Sequence, residues 1–118
     1  MTLISKVLAT LTALEFIYIF YLETIATSSS KTAKTFKMPQ TSLREPLLKT
    51  AMQNQGVYNL GIALLIFGAV FILQSKAALL GLMLYIIFVA AYGSFTVDKS
   101  IILKQGGLAI LTLISAFF

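Results

Sequence analysis

The sequence has no cysteine, no histidine and no tryptophan among its 118 residues. Without cysteine there is no disulfide framework, no thiol nucleophile and no thiolate metal site. Without histidine the commonest metal ligand and the usual proton carrier near neutrality are missing. Charge is scarce too: 11% of residues are charged, where about 25% is usual in a soluble domain. Four acidic residues stand against nine basic ones, a net +5. Those charges form no basic face, so no nucleic-acid partner is expected. The chain also lacks a Ser/His/Asp or Cys/His set, an HExxH, a Walker loop and a GxGxxG. These absences lean against an enzyme without deciding the matter, and no metal or cofactor is expected.

What remains is apolar. Hydrophobic residues make up 58%, and so short a chain has too little interior to hide them. The reading is an integral membrane protein, all-α, a four-helix transmembrane bundle forming a single domain over 1–118. A crossing helix needs about 20 mostly apolar residues. The expected spans are 3–25, 50–74, 77–97 and 101–118. Residues 3–25 read as a retained helix, because Glu15 and Glu23 and the length of the run do not suit a cleaved leader. Residues 26–49 form a basic loop with Lys31, Lys34, Lys37, Arg44 and Lys49 against Glu45 alone. It reads as a solvated connection, with a lipid-headgroup site as the alternative, and its Ser42 and Glu45 suggest a capping box leading into the second span, with Pro46 in the first turn. Seven basic residues fall on the side of this loop and two, Lys6 and Lys76, on the other. Basic loops stay cytoplasmic, which sends both termini outward.

Polar side chains inside spans face other helices or cavities and mark function by default. Glu15 lies about 15 Å from the cytoplasmic end of the first span. It is expected inside the bundle, uncharged when unliganded, and within reach of the second span's NQGVYN, residues 54–59, and of Gln105. On a helix Asn54, Gln55, Tyr58 and Asn59 cover an arc of about 140°. Tyr92 and Gln105 add polar groups near the same end of the third and fourth spans, whereas the outward halves are almost purely apolar. Glu23 and Asp98, at helix ends, are secondary candidates. Glu15 and Glu23 stand about 12 Å apart along the axis, too far to act as a carboxylate dyad. The plainer reading of the polar groups is interhelical hydrogen bonding.

The run LEFIYIFYLE (14–23), then NQGVYN (54–59), AAYG (90–93) and KQGG (104–107) resembles an uncharacterised family of small bacterial four-pass membrane proteins. Its signature, E-x-x-Y…NQGxYN…QG, brings in Tyr18 beside Glu15. The resemblance implies a bacterial plasma-membrane location. Members often carry histidine after the first glutamate, where this chain has Phe16, so no histidine relay carries over. The length, the four spans and Glu15 also resemble small multidrug-resistance transporters. That likeness ends with the missing tryptophan and the different residues after Glu15.

Three functions follow as expectations. The first is a binding module whose cytoplasmic-half pocket takes a small polar or cationic ligand or a lipid. The second is a proton-coupled small-molecule transporter using Glu15. The third is a structural or assembly subunit. The lipid bilayer is the expected partner in each, and a homo-oligomer is compatible with all three.

Overall fold

A computed structural model describes all 118 residues. The chain is all-helical, without strands. Six helices follow in order: α1 (Leu3–Phe20), α2 (Ser30–Phe36), α3 (Gln40–Leu43), α4 (Pro46–Phe67), α5 (Lys76–Thr96) and α6 (Ile101–Ser115). Helix α1 runs on into a π-helical turn, Tyr21–Ile25, and α4 into another, Gly68–Ile72. In each, an amide reaches back five residues, Ala26 to Tyr21 at 2.9 Å and Leu73 to Gly68 at 2.8 Å.

With their π turns, α1 and α4 span Leu3–Ile25 and Pro46–Ile72; these and α5 are long and apolar enough to cross a membrane. Their outward residues are large and apolar, such as Leu3, Leu64 and Phe88, at 76%, 60% and 74% exposure. Surfaces of that kind are avoided in contact with water, and they mark a membrane protein. Helix α6 is apolar but, with 15 residues, shorter than the ~20 that cross a hydrocarbon core.

The fold divides into two compact units, Met1–Ala13 with Leu64–Phe118, and Leu14–Ala63. In the first, α5 and α6 form a hairpin that small residues bring close: a Cβ on Gly106 would sit 3.3 Å from Ala90 Cβ. The turn between them is built by side chains. Asp98 Oδ1 accepts from the Ser100 amide at 3.0 Å and its hydroxyl at 2.9 Å. Ser94 Oγ accepts from the Ile102 amide at 2.7 Å, one of the amides that a first helical turn leaves without a partner. Asp98 is therefore a turn-forming residue. Ser75 caps α5 by accepting from the Ala78 amide at 3.1 Å, after Gln74 has turned the chain through a left-handed conformation. Within the same unit the start of α1 meets the end of α6 through hydroxyls, Ser5 with Ser115 at 2.9 Å and Thr12 with Thr112 at 3.3 Å. The second half of α6, read as almost purely apolar, thus carries two polar contacts, that of Thr112 buried. Each threonine also donates to a carbonyl four residues back, the usual way such a group is accommodated in a helix.

The second unit holds the segment read as a loop. It contains α2 and α3, and it is fastened to the end of α1. Thr32, fully buried, donates to Leu22 O at 3.1 Å and Ala26 O at 2.7 Å. Gln40 Nε2 donates to Ser28 O at 3.0 Å. The capping expected of Ser42 with Glu45 takes another form. Glu45 itself accepts from the amides of Leu47 and Leu48, at 3.2 and 2.9 Å. Proline at the first helical position has no amide to offer, so the carboxylate serves the next two. Helix α4 accordingly starts at Pro46.

Candidate functional site

The buried polar residues of the second unit gather where the π turn of α1 meets the middle of α4. A π turn leaves carbonyls out of the regular ladder, and here hydroxyls take them up. Thr27 donates to Glu23 O at 2.7 Å, while Thr32 serves Leu22 and Ala26. Glu23, at the centre of this turn, is buried with 4% exposure.

Helix α4 approaches through Gly56. A Cβ there would overlap Thr24 Oγ1 and lie 3.1 Å from Glu23 Cβ, so only hydrogen fits. Close backbone approach of this kind is what small residues permit between membrane helices. Thr24 Oγ1 then donates to Gln53 O at 2.9 Å. Asn59, three residues after Gly56 and on the same face, donates through Nδ2 to Glu23 Oε1 at 2.5 Å. Asn59 is itself buried. Amide and carboxyl thus form a closed pair, shielded on both sides.

The segment 54–59 was expected to reach Glu15; its hydrogen bond goes to Glu23. Asn54, Gln55 and Tyr58 are exposed, Tyr58 at 74%. The contact face is centred on Gly56. Asn59 lies about 60° from it, whereas Asn54 and Tyr58 lie about 160° away and point outward. Glu15 is half-buried, and its Oε1 is shielded with no hydrogen-bond partner. Tyr18 is exposed, with the Lys31 ammonium 5.6 Å over its ring. In the first unit Tyr92 is exposed, Gln105 half-buried, and Asp98 holds the α5–α6 turn. The residues that sequence reasoning passed over are Thr24, Thr27 and Thr32. Their signal was the run of threonine and serine after the first span, a pattern that closes helix ends and starts new ones.

No solved structure matches the chain. An uncharacterised protein of Lactococcus lactis subsp. lactis, YpaA, is 50% identical over 119 residues, covering the whole of both chains. The profile of a family described as proteins of unknown function, DUF1304, matches residues 10–117. That match takes in both units nearly end to end, and the chain belongs to the DUF1304 family.

Proposed function

We propose that the protein is a four-pass membrane protein that binds a small organic cation or polar molecule through Glu15. In this reading α1, α4, α5 and α6 all cross the bilayer, α6 with Lys104 extending its ammonium to the interface. The basic segment 26–49 lies on the cytoplasmic side and both termini outside, as the distribution of lysine and arginine favours. One observation carries the functional reading: the shielded, unpartnered Oε1 of Glu15. A carboxyl oxygen within an apolar span with nothing to bond is unfavourable unless something fills its place. A cation or a hydrogen-bond donor satisfies it. Glu23 does not need such a ligand, because Asn59 already occupies its Oε1.

The test is titration of the detergent-solubilised chain with tetraphenylphosphonium, followed calorimetrically, for the native protein and for Glu15→Gln and Glu23→Gln. Saturable binding lost in Glu15→Gln and kept in Glu23→Gln supports the reading. Equal heats in all three proteins overturn it. The closed Glu23–Asn59 pair favours a second reading, a structural subunit whose polar groups only hold helices together. The native protein then binds nothing and Glu15→Gln is silent. Proteoliposome uptake of the same cation, coupled to proton release, would move the first reading on to transport. A reporter joined after Phe118 that reads cytoplasmic would overturn the orientation.

A further inference from the structure

The segment 26–49 carries five basic residues and one acidic one. Its structure bears on their purpose. Helix α2 is not a free connection: the buried Thr32 hydroxyl fixes it to two carbonyls at the end of α1, Ser29 caps it by accepting from the Thr32 amide at 3.2 Å, and Gln40 fastens the start of α3 to Ser28. The polar face of α2 presents Lys31 and Lys34, both exposed and three residues apart on one side of the helix. Arg44 and Lys49 are exposed as well. The one carboxylate of the segment, Glu45, has both oxygens engaged by α4 amides.

Depth is the second, independent observation. The Lys31 ammonium lies over the ring of Tyr18, seven residues before the end of the first span at Ile25. At 1.5 Å per residue that is about 10 Å back along the helix axis. Helix α2 therefore folds back, and its first lysine meets an exposed tyrosine of the span itself. That sets α2 against the flank of the span rather than out in solvent, and a lysine on it reaches the phosphate level by extending its side chain.

We propose that α2, with the exposed Arg44 and Lys49 beyond it, is a rigid basic platform that binds the anionic phosphate headgroups of the adjoining bilayer leaflet. Clustered lysine and arginine next to a span attract anionic lipid; the hydrogen bonds of Thr32 and Gln40 hold the backbone that carries the α2 lysines, so the segment itself need not be ordered on binding. The proposal does not depend on a ligand at Glu15, only on insertion of the chain in a bilayer.

The test places the full-length protein in nanodiscs of mixed phosphatidylcholine and phosphatidylglycerol and measures, by native mass spectrometry, the ratio of the two lipids that remain bound. Lys31→Gln/Lys34→Gln is compared with the native chain and with Lys76→Gln. Both α2 lysines are exposed, so helicity by circular dichroism should not change. Phosphatidylglycerol enrichment is expected to fall about fivefold for each lysine removed, roughly 25-fold for the pair, and to weaken in high salt. Lys76→Gln should retain it. An excess of inorganic phosphate in the buffer should not displace the lipid. Enrichment that survives the double variant overturns the proposal, as does equal loss in Lys76→Gln. A protein that fails to enter the nanodisc at all overturns the membrane reading instead, and the two failures are told apart by whether lipid and protein co-purify.

Discussion

Asn59→Leu is the most informative perturbation of the second unit. It removes the amide that donates to Glu23 Oε1 and leaves a carboxyl of 4% exposure without its partner. An unsatisfied buried acceptor costs about 1–3 kcal/mol, more if it is charged. The added leucine recovers part of this only if it packs, and the tight approach at Gly56, where even a Cβ would overlap Thr24, gives it little room. A net loss of about 2 kcal/mol is expected. Glu23→Leu strands the Asn59 amide and should cost a similar amount. With both replaced, neither side holds a stranded polar group. The double variant should therefore be more stable than the two single losses added together. Coupling between hydrogen-bonded side chains of membrane helices averages about 0.6 kcal/mol and reaches about 1.7. A buried carboxyl with one side-chain partner belongs towards the upper value, so about 1–1.5 kcal/mol is expected. Unfolding free energies of the four proteins in lipid bicelles, by steric trapping, close the cycle. Additive losses, with coupling below about 0.3 kcal/mol, would refute the pairing as an energetic unit.

Three further outcomes follow from the same contacts. Gly56→Val should destabilise by about 1–3 kcal/mol through overpacking against Thr24 and Glu23, whereas Gly61→Val, with open space around it, should be nearly neutral; thermal melting in detergent separates them. Ser94→Ala withdraws the acceptor from the Ile102 amide and should cost about 1 kcal/mol, read as faster hydrogen exchange at the start of α6 alone. Glu45→Ala should speed exchange of the Leu47 and Leu48 amides and fray the first turn of α4, leaving α5 and α6 untouched.

The long helices were legible because hydropathy is a property of a whole window. Leu3–Ile25 and Lys76–Thr96 lie close to the stretches read as 3–25 and 77–97, while the helix read as 50–74 runs over Pro46–Ile72. The small helices were not, because their determinants are single side chains. Thr32 looks in sequence like one more residue of a solvated threonine and serine run, yet its hydroxyl satisfies two carbonyls freed at the end of α1. The candidate site was half legible for a related reason. Depth counting placed Glu15 and the 54–59 segment at comparable levels, but contact between helices depends on register and on which face turns inward. Gly56 sets both, by admitting the side chains of Thr24 and Glu23 against its own backbone. Asn59 follows it by three residues and is carried to Glu23. A reading that began from the Gly56-x-x-Asn59 spacing, rather than from the polar arc, would have found that face. Which glutamate it meets is fixed by the helix crossing, and composition does not encode that.

The π turn at Tyr21–Ile25 has a consequence for how this chain tolerates changes in length. A π turn holds one residue more than an α turn, so the end of the first span contains a residue that the ladder does not require. Deleting one position within 21–25 would let the amides return to ordinary α spacing and leave Leu3–Phe20 undisturbed. Five residues of a π turn cover about the same angle as four of an α turn, so everything after it would keep nearly its direction about the axis. The lysines of α2 would stay on the side of Tyr18, while the carbonyls that Thr27 and Thr32 now take up would return to the helix ladder. A one-residue deletion here should therefore be tolerated, whereas one a few residues earlier, in the regular ladder, would turn everything beyond it by about 100°.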